Sequence, residues 1–276
     1  MKNYQAGAVR QNTNLLTDRK FSKKLAMFGV MAAIASVSVF SSCKKEGNDV
    51  SPSLKLNSER ALSPTAGGTA LTLSNVTTGT VKLSATGNVY SVVNYYVTQS
   101  VYDPANPHQA NGLYYFDFSL NDNKKGATST TAPSTSWDIS FSGTGNADIK
   151  ANTAEGVEVK FLNENFATAT ARTATSAWSA ATTAAATFGH NRTITTSPLA
   201  AADYLAAASG HVVKGYWNYY FTNHQVIATT DVTILVKDGN GGIYALYIKS
   251  VYNNDTPTGT PYPSNFSYLT FDYKKL

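Results

Sequence analysis

The chain has 276 residues, with 22 Lys and Arg against 17 Asp and Glu, one cysteine, and charged residues at only 14%. Six of the basic residues and one acidic residue fall in the first 42 positions, so the rest carries 16 of each sign. It therefore lacks the basic excess that nucleic-acid binding requires. Cys43 stands alone, which excludes a disulfide within the chain and a cysteine-built metal site.

In chain order, Arg19, Lys20, Lys23 and Lys24 run into an apolar segment from Leu25 to Phe40, followed by Ser41-Ser42-Cys43. A basic start, an apolar core and small residues before a cysteine predict a secretory lipoprotein signal over residues 1–42, with lipid on Cys43 after cleavage. The apolar run is shorter than the roughly 20 residues a spanning helix needs, and Lys44 and Lys45 close it. Cleavage also removes Met1, Met27 and Met31, the chain's only methionines. Residues 43–68, rich in Ser, Asn, Gly and Pro, read as the lipidated N-terminus and a flexible tether. Residues 69–276 are long enough for one well-buried domain.

Within that domain, period-two alternation dominates. Tyr114, Phe116, Phe118 and Leu120 alternate with Tyr115, Asp117 and Ser119; Trp137, Ile139 and Phe141 alternate with Asp138, Ser140 and Ser142. Val157, Val159 and Phe161 repeat the pattern, and Asp231 to Lys237 and Ile243 to Tyr252 flank the turn-forming Asp238-Gly239-Asn240-Gly241-Gly242. Phe266 to Tyr273 supplies a closing strand. The spacing predicts an all-β, antiparallel β-sandwich-like domain whose strands keep one wet face. Ser197-Pro198 to Ala208 reads as a short helix capped by Ser197. Asn165 to Phe188, almost entirely Ala and Thr, reads as a second short helix or a long loop, because alanine favours helix and threonine does not.

Catalytic signatures are missing: there is no nucleophile elbow, phosphate-binding loop or zinc-protease motif. The chain reads as a binding protein, not an enzyme. Asp138 beside Trp137 is expected to be a solvent-facing strand residue, not one of a pair of glycosidase carboxylates. The four histidines, His108, His190, His211 and His224, lie in loops or beside strand ends, where side chains converge on ligands or simply meet water. The run Tyr216-Trp217-Asn218-Tyr219-Tyr220-Phe221 before His224 offers flat apolar surface, with sheet core as the ordinary role of Trp217 and Phe221.

Several of these strings, in this order, resemble the HmuY family of bacterial haem-binding lipoproteins. Tyr114 to Ser119 is similar to the family's aromatic first strand, and Trp137-Asp138-Ile139-Ser140-Phe141 to its W-D-I-A-F box. Gly215 to Tyr220 resembles the aromatic segment before the terminal hairpin. Val232 to Tyr252 resembles that hairpin, with a longer turn than usual, and Leu269 to Tyr273 the closing strand. The resemblance runs from about Gly112 to the end.

It implies an all-β fold of HmuY type and, by analogy with a member that uses two histidines, haem held between His190 and His224, with His211 as an alternative ligand. It also implies Arg192 or Lys214 as propionate partners. On this reading the protein is anchored by lipid to the outer membrane, on its surface or periplasmic face, and passes haem to a TonB-dependent outer-membrane receptor. Two rival readings use the same residues: an aromatic platform for glycan or peptide, or an adhesive envelope protein.

Overall fold

The computed structural model describes residues 61–97, 112–124, 137–194, 215–260 and 262–276. Cys43, His108, His211, Lys214 and the helix expected from Ser197 to Ala208 lie outside them. In chain order the strands are β1 (Leu71–Thr72), β2 (Thr78–Leu83), β3 (Tyr90–Tyr96), β4 (Tyr114–Asp117), β5 (Asp122–Asn123), β6 (Ile139–Ser142), β7 (Asp148–Ala151) and β8 (Glu158–Leu162). Two short helices follow, α1 (Phe166–Thr170) and α2 (Ala174–Ala180), and then β9 (Thr182–Thr183), β10 (His190–Ile194), β11 (Trp217–Tyr220), β12 (Gln225–Ala228), β13 (Thr233–Lys237), β14 (Ile243–Tyr252) and β15 (Phe266–Lys275). None of the described helices is long and apolar enough to cross a membrane.

Three sheets form. The largest has the order β1-β2-β3-β15-β14-β13-β8-β9 and is antiparallel throughout. A four-stranded antiparallel sheet, β5-β4-β6-β7, packs against it. Their shared core is aromatic: Phe116 meets Phe271 edge-on at 5.2 Å, and Tyr95 meets Phe141 edge-on at 6.4 Å. The Tyr95 hydroxyl, fully buried, donates to the Tyr115 carbonyl at 3.0 Å, so its polar end is satisfied inside the sandwich.

The Ala- and Thr-rich segment divides its roles by residue type. Asn165 and Thr173 cap α1 and α2 by accepting from the Thr168 and Ser176 amides. Ala169 and Ala177 pack on Leu162, Leu235 and Ala245, on a separate cluster from the main core. The helices thus cover the far side of β8, β13 and β14.

The hairpin from β13 to β14 forms as the turn residues predict. Asp238 Oδ1 accepts the amides of Asn240 and Gly242 at 2.9 and 2.7 Å, closing the loop that the glycines allow. Leu62 already exchanges hydrogen bonds with Leu120 and Asn121, so the domain's bonding begins inside the stretch read as tether. The third sheet, β10-β11-β12, departs from the antiparallel expectation, since β10 and β11 run parallel. Residues 195–216 separate those strands, long enough for the crossover that parallel pairing requires.

Candidate functional site

The three-stranded sheet carries the site. In the parallel register His190 sits opposite Trp217 and Thr193 opposite Tyr219. Trp217 and Tyr219, two residues apart on β11, project to one face. The His190 ring lies 4.7 Å from the Trp217 ring, and the His190 Nε2 pairs with Thr193 Oγ1 at 3.3 Å. These residues line an open cleft of about 380 Å³ with Thr144 and Asp148.

At the other end of β11 the chain turns, and His224 occupies that turn with a left-handed backbone, φ 55. Its Nδ1 is hydrogen-bonded to the Tyr219 hydroxyl, and its ring lies 4.1 Å from Tyr262 and 5.5 Å from Phe221. The structure therefore places both imidazoles on one aromatic row, His190 in the cleft and His224 at its far end. About 10 Å of strand separates those ends, and Tyr219 links them. Trp217 is buried as expected, whereas Phe221, expected in the sheet core, is 57% exposed beside His224. It follows the last residue of β11, where the chain leaves the sheet.

At the buried end, Asp148 accepts the Trp217 indole N–H at 3.1 Å. Burial pushes its carboxyl pKa up, opposed by this bond, by the His190 backbone amide and by the His190 charge. Asp148 and Thr144 escaped sequence reasoning, with no local signal to mark them; Tyr219 was part of the aromatic run read as flat surface, and it lines the cleft.

Asp138 is the clear correction. Instead of facing solvent it is 7% exposed, and its Oδ2 accepts the Phe118 amide at 2.7 Å. It lies in a recess of about 240 Å³ with Asp117, Glu155 and Asp238. Burial, more than the neighbouring Asp117 and Asp238 charges, pushes its pKa up to about 7. Asp117 is itself buried and pairs with Lys124 at 3.6 Å. Strands β4 and β6 are covered on both faces in this region, so alternation of polar and apolar residues does not mark a wet side there. Among the described residues no three His, Cys, Asp or Glu side chains converge as a metal-ion site.

Imidazole nitrogens are among the ligands proteins give haem iron; of the two histidines His190 lines the cleft, and His224 stands outside its lining, joined to it through Tyr219. The cleft volume falls in the range of about 300–1,000 Å³ typical of small-molecule sites.

Comparison with known proteins gives likenesses in structure and a family match in sequence. Two solved structures share the general likeness. One, from Bacteroides vulgatus, is named as an HmuY-like heme binding protein; it is 15% identical, with 68% of this chain and 91% of that chain covered at a TM-score of 0.35. The other, a Bacteroides fragilis chain named as a lipoprotein, is also 15% identical, with 68% and 89% covered at a TM-score of 0.32. No curated protein matches the chain. The family described as HmuY protein matches residues 109–273, which takes in every strand from β4 to the body of β15. With that match over more than half its length, the chain belongs to the HmuY family.

Proposed function

We propose that the protein is a cell-envelope lipoprotein that binds haem on the β11 face, with His190 and His224 as the axial ligands. The observation that carries this reading is the placement of two imidazoles at the two ends of one aromatic row, in a chain of the HmuY family. When bound, haem would supply an iron that His190 and His224 would hold, an arrangement that would suit a carrier better than a catalyst.

The chain's own residues do the rest. Tyr219 would present flat apolar surface to the macrocycle, and its hydroxyl fixes the orientation of His224 through Nδ1. Arg192, on β10, is the proposed propionate partner, with Lys214 as its alternative. His211 remains the alternative ligand, in a stretch outside the described residues. Lipid on Cys43 anchors the domain to the outer membrane, and handover runs to a TonB-dependent receptor.

The test is a haemin titration of the mature chain, in wild type and in His190→Ala and His224→Ala. The expected result is a low-spin six-coordinate Soret spectrum in wild type that is lost in both variants. A spectrum no different from free haemin ends the proposal. The exposed Phe221 and Tyr262 favour a second reading, an aromatic platform for glycan or peptide. Glycan binding that survives without haemin and is lost on Phe221→Ala would replace the first reading with it. Fatty-acid labelling that is abolished by Cys43→Ser checks the anchor.

A further inference from the structure

We infer that Asp148 is the positioning residue of this site: its carboxylate holds the Trp217 indole against which the His190 ring rests, so that His190 is aimed before any ligand arrives. The inference rests on the haem reading for its ligand and on independent geometry for its clamp.

Asp148 opens β7, the edge strand of the four-stranded sheet. It therefore belongs to a different sheet from the group it holds. Its Oδ1 accepts the Trp217 Nε1–H at 3.1 Å. The His190 ring lies 4.7 Å from the Trp217 ring, so the carboxylate fixes the surface that the imidazole leans on.

The carboxylate is itself fixed. The next residue, Ile149, exchanges two backbone hydrogen bonds with Phe188, each 2.8 Å, in an isolated bridge between β7 and the approach to β10. Glycines stand where side chains would evict it. A Cβ on Gly143 would collide with Asp148 Oδ2. One on Gly189 would collide with Oδ1 and lie 2.7 Å from the Trp217 Nε1. The chain leaves both positions bare, and the carboxylate fills the space between them.

Burying an ionisable group is unfavourable unless donors replace its water. The donor here is the indole, which can only donate. A residue needed merely to seal the seam between sheets could be apolar. Asp148 instead faces the cleft and bonds the indole that helps line it.

The test uses the mature chain with Asp148→Ala, which removes the acceptor, and Asp148→Asn, whose amide oxygen keeps one. In ligand-free protein the Trp217 indole N–H is expected to exchange about threefold to tenfold faster in Asp148→Ala than in wild type. Asp148→Asn is expected to restore most of the protection. With haemin bound, dissociation is expected to quicken about tenfold or more in Asp148→Ala. Its low-spin electron paramagnetic resonance signal should also broaden, because the imidazole plane is no longer held.

Unchanged exchange in a folded Asp148→Ala overturns the inference whatever haemin does. So do an unchanged dissociation rate and unchanged signal. Should Asp148→Ala not fold, Trp217→Phe removes the indole donor and keeps a ring; the same broadening supports the clamp, and an unaltered signal overturns it. If wild type binds no haemin while exchange responds as expected, the haem reading falls and the clamp on Trp217 stands.

Discussion

His224 holds φ at 55 in the turn from β11 to β12, a conformation that costs most side chains about 1–2 kcal/mol and that asparagine tolerates. A histidine retained at that cost has either a turn role or a ligand role, and His224→Asn separates them. The variant keeps the turn, so the denaturant midpoint is expected to move by no more than about 0.5 kcal/mol equivalent, while the six-coordinate haemin spectrum is lost. Intact haemin binding together with a large loss of stability would make His224 a turn residue and nothing more. Asp138 permits a pH argument. Its pKa is raised from 3.8 to about 7 by burial, so between those values the folded protein binds the proton that the unfolded chain releases. Stability attributable to Asp138 is therefore full below about pH 4, declines as pH rises towards 7, and is flat above. Burial pushes Asp122 and Asp148 the same way, adding slope of the same sign. Urea midpoints measured at about pH 4.5, 6 and 8 should fall along that series in wild type, and Asp138→Asn should flatten the decline. A wild-type midpoint that rises from the first pH to the last removes this account of Asp138.

At the scale of elements, the start of the β10–β11 pair is set by two glycines. The Gly189 carbonyl accepts the amides of both Tyr216 and Trp217, at 2.8 and 3.1 Å, and a Cβ on Gly215 would strike that carbonyl and lie 2.7 Å from the His190 carbonyl carbon. The obstacle is backbone, which cannot swing aside as a flexible side chain does. Gly215→Ala is thus expected to cost about 1–3 kcal/mol by denaturation and to weaken haemin binding by displacing His190 from Trp217. Stability and binding both equal to wild type would show that the two strands separate freely. This pairing was not legible in the sequence, because residues 195–216 intervene and no local pattern says which distant strand β10 will choose. Strands β4, β6, β8, β13, β14 and β15 were legible, since each repeats apolar residues with period two and the last hairpin carries its own turn chemistry. Strands β2 and β3 passed unassigned although Thr86-Gly87-Asn88 sits between them as a turn signal. Alternation misplaced Asp138 for a different reason: it detects which residues share a face and says nothing about whether a second layer covers the polar one. The two histidines were visible as residue types near an aromatic run. The carboxylate that positions one of them was not, because Asp148 and Trp217 stand 69 residues apart and meet only once the sheets pack.

For the whole molecule, the question is whether the two larger sheets are one cooperative unit. Phe116 of the four-stranded sheet meets Phe271 of the eight-stranded sheet edge-on at 5.2 Å, with both rings fully buried. Tyr273 adds a second crossing, touching Phe116 and Phe118 and donating its hydroxyl to Asn121 Oδ1 at 2.8 Å. Neither sheet keeps its inner face covered without the other, so neither is expected to persist alone. Truncating one ring removes buried area and leaves a cavity that close-packed neighbours fill only in part, which sets the cost of Phe116→Ala or Phe271→Ala at about 3–5 kcal/mol each. Because the rings touch, the losses should not simply add. The double variant is expected to be less damaged than the sum of the singles by about 0.5–1.5 kcal/mol, the share that belongs to the pair. Far-UV circular dichroism and tyrosine fluorescence should follow a single urea transition in wild type and in each folded variant. Two separated transitions, with the Phe116→Ala effect confined to one of them, would mean that the four-stranded sheet folds on its own. Asp148 would then position His190 from a part of the protein that can come loose before the rest.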